Sequence, residues 1–419
     1  MNMINVRRLA VMTFLGAGML SDISAQDFSL QADTLNEARL PAQWDLQSCI
    51  DYALEQNITI RKNRVTAEST QIDVKTAKAA LFPSLSFSTS QQVVNRPYQE
   101  TSSRVSGSEI ISSNSKTSYN GNYGLNASWT IYNGSKRLKT LKQERLNNQV
   151  AELDVATSEN TIKESIAQIY IQILYAAESV RVNENTLQVS IAQRDRGQEL
   201  LNAGSIAKSD FAQLEAQVST DRYQLVTAQA TLQDYKLQLK QLLELDGENE
   251  MNVYLPKLSD ENVLAPLPAK KDVYVSALAI RPEIEASKLN VEASELGIDI
   301  AKSSYFPTIS LSAGIGTNHT SGSDFTFGEQ VKNGWNNSIG LSVSVPIFNN
   351  RQTKSAVQKA KLQYETSMLS LLDEQKTLYK TIEGLWLDAN SAQQRYAAAN
   401  EKLKSTQISY ELISEQFNL

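Results

Sequence analysis

One junction occurs twice in this chain, and it limits what the chain can fold into more than any other feature. Ala77-Lys78-Ala79-Ala80-Leu81-Phe82-Pro83-Ser84-Leu85-Ser86-Phe87-Ser88 returns as Ala301-Lys302-Ser303-Ser304-Tyr305-Phe306-Pro307-Thr308-Ile309-Ser310-Leu311-Ser312. Each copy closes a helical pattern with Phe-Pro and then alternates apolar with hydroxyl residues. The residue before a proline is pushed out of the α region, and proline cannot continue a helical ladder. Period 3.6 therefore gives way to period 2, a helix-to-strand switch. A reverse switch is also doubled: Gly124-Leu125-Asn126-Ala127-Ser128-Trp129-Thr130-Ile131-Tyr132-Asn133-Gly134 matches Gly340-Leu341-Ser342-Val343-Ser344-Val345-Pro346-Ile347-Phe348-Asn349-Asn350. There a strand ends in an aromatic and an Asn-rich break before a long helix. The chain is an internal duplication.

Length alone would allow two or three domains in 419 residues, but the repeat argues for two similar halves of one architecture. A net charge of −6 is only mildly acidic and makes nucleic acid an unlikely partner class. With one cysteine, Cys49, and one histidine, His319, the chain can form no internal disulfide framework and has little to offer zinc. Arg7 and Arg8, the apolar run Leu9 to Leu20 and the small pair Ser24-Ala25 read as a signal peptide over 1–25, with a buried N-terminal helix as the alternative. The run is too short for a membrane anchor, and Cys49 sits inside a helical pattern, as a core residue rather than a lipid attachment point. No later segment reaches the ~18 consecutive apolar residues of a transmembrane helix, which leaves a β-barrel as the route into a membrane.

Taken in order, 26–43 is a polar leader and 44–245 a first structural repeat. Residues 246–271, with Gly247, Pro256, Pro266 and Pro268, form a linker, and 272–419 a second repeat. The first repeat predicts a helix from Asp45 to Leu81, a strand over Ser84 to Val94, an exposed loop over Asn95 to Thr117 and a strand over Ser118 to Tyr132. A helix from Ser135 to Asn202 follows, on the order of 100 Å long. The second repeat predicts a helix over Val273 to Tyr305, strands over Thr308 to Thr317 and Asn337 to Pro346 around a loop from His319 to Asn336, and a helix from Asn350 onward. Ile162, Ile166, Ile169, Ile173, Ala176, Val180, Asn183 and Leu187 alternate spacings of four and three, as a coiled-coil seam does. The next helix repeats the pattern in Phe211, Leu214, Val218, Leu225, Ala228, Leu232, Tyr235, Leu239 and Leu242, with Asp221 as its one polar intrusion. Ala203-Gly204-Ser205 breaks the two apart, and Ser209 or Asp210 can cap or charge the second start. The seam recurs at a constant offset in Leu378, Ile382, Leu385, Ala389, Ala392, Tyr396, Ala399 and Leu403. Leu201-Asn202-Ala203 then aligns with Phe417-Asn418-Leu419. The second repeat is therefore expected to lack its final turn and helix, the counterpart of Ser205 to Leu245, unless the protein is a naturally shorter variant.

Strands of about ten residues suit a tilted bilayer crossing, with apolar faces toward lipid and Ser, Thr and Asn faces toward a wet lumen. Tyr119, Tyr123, Tyr132, Phe82, Phe306, Trp335 and Phe348 gather near strand ends, as an interfacial girdle requires. A small soluble sheet with one dry face shows the same alternation, and the export signal and flanking coiled-coil helices favour the membrane. Four strands cannot close a barrel, and open edges are not tolerated in lipid, so several chains must pool their strands.

These units resemble the TolC family of outer-membrane factors. The resemblance rests on Leu46-Gln47-Ser48-Cys49-Ile50-Asp51-Tyr52-Ala53-Leu54, Ala80-Leu81-Phe82-Pro83-Ser84-Leu85, Tyr132-Asn133-Gly134 and Leu201-Asn202-Ala203-Gly204-Ser205 with Ser209-Asp210, in that order and largely duplicated. It implies a mainly α fold with membrane β structure: a long coiled-coil α-helical barrel plus a β-barrel shared between protomers, four strands per chain in a homotrimer of twelve. It also implies a cell outer membrane duct extending into the periplasm, for efflux or type I secretion, and no enzyme. No cofactor or metal is implied. The partners would be a periplasmic adaptor (a membrane fusion protein), an inner-membrane transporter and outer-membrane lipid. By position Ala203, Gly204 and Ser205 match the adaptor-docking tip, and Asp210 resembles the acidic residue near the constriction, the candidate gate. Phe82, Pro83, Phe306, Pro307, Tyr132 and Phe348 mark the helix–strand junctions.

Two other classes compete with the duct. An exported structural or adhesin-type stalk would need a continuous seam without duplicated strand pairs. An enzyme would need a phosphate loop or nucleophile elbow, and none is found; lone His319 reads as a solvated loop residue.

Overall fold

The computed structural model describes residues 43–98, 102–106, 109–113, 116–245, 251–256, 263–323 and 325–418. The expected signal peptide and nearly all of the polar leader lie outside them. The first repeat contains α1 (Leu46–Gln56), α2 (Ile58–Ala79), β1 (Ser84–Asn95), β2 (Ser102–Ser106), β3 (Glu109–Ser113), β4 (Thr117–Asn133), α3 (Lys136–Asn202) and α4 (Lys208–Leu242). The second contains α5 (Lys270–Ile280), α6 (Pro282–Ser303), β5 (Thr308–Thr320), α7 (Phe327–Asn333), β6 (Asn336–Ser344) and α8 (Gln352–Asn418). The duplication reaches element length: α1 and α5 have 11 residues each, α2 and α6 have 22, and α3 and α8 have 67.

Both Phe-Pro junctions behave as local physics demands. α2 ends in tightened turns, with Leu81 N donating to Lys78 O (3.1 Å) and Phe82 N to Ala79 O (3.0 Å). α6 ends the same way, Tyr305 N to Lys302 O (3.0 Å) and Phe306 N to Ser303 O (3.1 Å), before the chain extends into β5.

The long helix α3 is the axis on which the rest is laid. α4 returns along its distal half and α2 along its proximal half, and α6 packs on α3 and on α8. The seam positions on α3 and α4 are all buried or half-buried, with Ile166, Ile173 and Leu239 fully so. Asp221, the polar intrusion, is buried at 4% exposure and accepts a hydrogen bond from Gln217 Nε2 (2.9 Å). The duplicated seam on α8 is less covered: Leu378 is buried, whereas Leu385 and Leu403 are exposed, as are Ile408, Tyr410, Leu412 and Ile413 beyond them.

The structure corrects several expected boundaries. The helix expected from Asp45 to Leu81 is two helices, broken at Asn57. The Asn57 carboxamide oxygen accepts from Thr59 N (2.9 Å) and Ile60 N (3.4 Å), capping α2, while its Nδ2 donates to Leu242 O (3.0 Å) where α4 ends. The second repeat breaks at the equivalent place with different chemistry, Pro282 occupying the first turn of α6. The loop expected over Asn95 to Thr117 contains the antiparallel β2–β3 pair, and the one expected from His319 to Asn336 contains α7. Of the expected linker 246–271, the described residues 251–256 and 263–269 are packed onto the helices. Trp44 N donates to Asn252 O and Tyr254 N to Trp44 O (both 2.8 Å), and Met251 and Val253 join the core of Trp44, Cys49, Ala53, Tyr170 and Leu243. Farther on, Gln393 Nε2 donates to Val263 O (2.9 Å) and Ala265 O (2.8 Å), and Trp386 Nε1 to Pro268 O (3.1 Å), so this stretch straps α8.

Candidate channel wall and docking tip

The wall is a four-stranded antiparallel sheet in the order β1-β4-β5-β6, which leaves β1 and β6 as edges. Its register aligns the apolar positions of every strand. Leu85 opposes Ala127, which opposes Ala313, which opposes Ile339; Phe87, Leu125 and Ile315 form the next row, which ends in Asn337 on β6; and Trp129, Leu311 and Leu341 form another. The other face carries Ser84, Ser128, Ser312 and Gly340 in one row and Ser86, Asn126, Gly314 and Ser338 in the next. No Asp, Glu, Lys or Arg occurs in β1, β4, β5 or β6. Hydroxyl and amide groups on the polar face are tied into the sheet: Ser86 Oγ donates to Asn126 O (3.4 Å), Asn126 Nδ2 to Ser88 Oγ (3.3 Å) and Ser312 Oγ to Gly340 O (3.3 Å).

Both faces are open. Leu85 and Phe87 are about 70% exposed and Ile339 is 83% exposed, far from the burial expected of a soluble sheet with one dry face. The junction residues cluster at one end of this sheet, where Phe82, Phe306 and Phe348 are exposed and Tyr132 is 38% exposed. One register detail departs from simple alternation. A bulge between Thr130 and Tyr132 leaves Ile131 out of the ladder, and Tyr132 opposes Ile309 on the apolar face. Gly134, with φ +67°, then turns the chain into α3 directly against Ser303 and Phe306, so the two junctions pack on each other. Its counterpart turn uses Asn350 (φ 50°) and Arg351 (φ 66°), without a glycine.

At the far end, His319 is not in the loop expected for it. It lies on β5 opposite Gly121, with its ring 5.1 Å from Tyr119, 5.9 Å from Tyr123 and 5.1 Å from Phe327. It is half-buried in an aromatic cluster and is not a solvated loop residue. A β carbon on Gly121 would come 2.2 Å from His319 Cε1. Tyr119-Asn120-Gly121-Asn122-Tyr123 was therefore the available signal, a gap of one side chain between two aromatics on the same face.

The tip lies at the other extreme of the helices. Ala203 is the last right-handed residue of α3, Gly204 has φ +71°, and two bonds close the turn: Gly204 N to Leu201 O (2.9 Å) and Ser205 N to Leu200 O (2.8 Å). This is a Schellman cap, in which the left-handed residue lets the last carbonyls be satisfied. Nothing lies within 4 Å of a β carbon built on Gly204, and all three tip residues are exposed. Asp210 is exposed in the first turn of α4, where its carboxylate accepts from Ala207 N (3.3 Å) and Ser209 Oγ (3.3 Å). That satisfies a free helix-start donor and puts negative charge at the positive end of the helix dipole. Among the described residues no group of three or more His, Cys, Asp or Glu is placed to hold a metal ion.

The fold and sequence have known relatives. The chain is 25% identical over 260 residues to the outer membrane efflux protein BepC of Brucella suis, covering 62% of this chain and 54% of that protein. It is 23% identical over 309 residues to the outer membrane protein TolC of Escherichia coli, covering 70% of this chain and 60% of that one. The chain thus spans less than two thirds of either protein's length. Crystal structures of CusC (TM-score 0.68, 21% identity, 88% of this chain and 82% of that one) and of VceC from Vibrio cholerae (TM-score 0.69, 18% identity, 87% and 83%) share the fold. The outer membrane efflux protein family model matches residues 49–244 and 273–419, both repeats with the strands and long helices described above, and the chain belongs to that family.

Proposed function

We propose that the chain is one protomer of a homotrimeric outer-membrane duct, in which three copies pool their strands into a twelve-stranded barrel and their long helices into a periplasmic tunnel. One observation carries this reading. Among the described residues the sheet has an apolar face that is open except where α7 meets the far end of β5, an uncharged open polar face and two unpaired edges, which is a segment of barrel wall. Pairing β6 of one copy with β1 of the next removes both edges and keeps each face continuous. Transport through such a duct depends on the shape and polarity of its lumen rather than on a reactive side chain, consistent with a non-enzyme.

In this reading 1–25 is the export signal and the Ala203-Gly204-Ser205 tip meets a periplasmic adaptor joined to an inner-membrane transporter. Asp210, beside the tip, would narrow or charge the entrance. The relatives' names span toxin and drug export, cation efflux and pyoverdine export. That variety fits a passive duct whose pump selects the cargo.

The test is the protein mass in detergent, by light scattering corrected for bound detergent, together with current across planar bilayers. A trimer that conducts in discrete steps is the expected result. A monomer that stays soluble without detergent and passes no current would overturn the duct and favour a stalk.

A further inference from the structure

We propose that α7 is an interfacial helix lying outside the barrel, on its lipid side, where it seats the far rim of each protomer in the headgroup layer of the membrane. The inference rests on the duct reading above and adds a partner surface to it.

The register of β5 decides the side. Ile309, Leu311, Ala313 and Ile315 define the apolar face, and Thr317 and His319 continue the same alternation. Two side-chain contacts from this face hold α7: the His319 ring meets Phe327 edge-on, and Thr317 Oγ1 donates to Val331 O (2.7 Å). Gly334, which ends the helix, sits at the strand between the two alternating positions, beside Asn318 Oδ1 and Thr317 Oγ1, while the body of α7 lies over the Thr317 and His319 side. α7 also finishes an edge. The β5–β6 ladder stops at Gly316 and Asn336, and Thr320 N, beyond it, donates to Gln330 Oε1 (2.8 Å).

The height matches a membrane boundary. Ile309 to His319 is roughly 33 Å along the strand, which at a tilt of about 40° is about 25 Å of thickness, the height of the apolar band on such barrels. Tyr132 opposes Ile309 at one limit and Phe327 meets His319 at the other. Around α7, Phe325, Phe327 and Trp335 are 42%, 44% and 57% exposed, side chains that suit the apolar edge of a headgroup layer. The exposed cation of the helix, Lys332, is placed for lipid phosphate, whereas Glu329 folds back on Thr326, accepting from its N (2.8 Å) and Oγ1 (2.9 Å).

The test attaches a nitroxide to single cysteines at Phe327→Cys, Leu341→Cys and Ser342→Cys in the full chain. The protein is reconstituted in phosphatidylethanolamine–phosphatidylglycerol vesicles, and each label is compared for access to oxygen and to a water-soluble nickel chelate. Trp335→Cys repeats the reading at a site that does not pack on His319. Leu341 should be oxygen-dominated, Ser342 nickel-dominated, and Phe327 and Trp335 intermediate, at headgroup depth. Nickel access at Phe327 and Trp335 equal to that at Ser342, with Leu341 still in lipid, would overturn the placement of α7 and leave the duct standing. Nickel dominance at Leu341 itself would remove the duct reading and this one with it.

Discussion

Gly134 lies so close beneath Ser303 that a β carbon on it would come within 2.6 Å of the Ser303 carbonyl oxygen. The two residues belong to different repeats and opposite kinds of switch, strand-to-helix and helix-to-strand. Their contact locks the pair of junctions that set the sheet against the helices. Gly134 also holds φ +67°, which L side chains rarely adopt.

Gly134→Ala should therefore destabilise the protein by about 2 kcal/mol or more, from backbone strain and overpacking together. Thermal unfolding in detergent measures this. Gly328→Ala is the control: nothing lies within 4 Å of its added β carbon and the site is helical, so an unchanged or slightly raised midpoint is expected there.

Cys49 is fully buried in α1, and burial pushes its thiol up to about 12. The folded state favours the neutral thiol, so its contribution to stability is complete below the ordinary thiol range and is lost as pH rises from about 9 toward about 12. At pH 8 a maleimide or disulfide reagent should fail to modify the native protein and should react fully once denaturant unfolds it. Stoichiometric labelling of the native form would show that the core around Trp44 and Leu243 opens readily.

Substitutions on the two faces of one strand should separate in kind. Leu341→Lys places a charge on the apolar face and should cost about 2–4 kcal/mol near the middle of a bilayer, read as loss of folded protein in membranes. Ser342→Lys, one residue on, lies on the polar face, the lumen side of the proposed duct, and should leave assembly intact while shifting single-channel ion selectivity toward anions. Equal tolerance of both would contradict the assignment of faces.

At the tip, Gly204→Asn should keep the turn, since asparagine tolerates the left-handed region and the site has room. Gly204→Asp adds charge at the same exposed place and should reduce export and crosslinking to the adaptor in cells without lowering trimer yield. Normal export by Gly204→Asp would mean that docking lies elsewhere.

Much of this architecture was legible because its causes are local. Phe82-Pro83 and Phe306-Pro307 end helices wherever they occur, alternation at Leu85 and Phe87 needs only the strand geometry, and the Ile162-to-Leu187 seam reports its own period. Ala203-Gly204-Ser205 was recognisable as a turn for the same reason.

What the sequence determined by itself was the duplication, the two kinds of switch, the long seam and the two chemistries of each strand. Only the tertiary structure decided the features whose partners are distant. Asn57 caps α2 through its own neighbours, but its Nδ2 also bonds Leu242 O, 185 residues away, which seats the break against the end of α4. Met251 and Val253 leave an apparent linker because Trp44 pairs beside them. Tyr132 joins the apolar face only through the bulge opposite Ile309, and His319 leaves solvent because Gly121, on another strand, makes room for its ring. Propensity and periodicity act within one or two turns of chain, whereas caps, bulges and ring packing depend on which neighbour folding delivers.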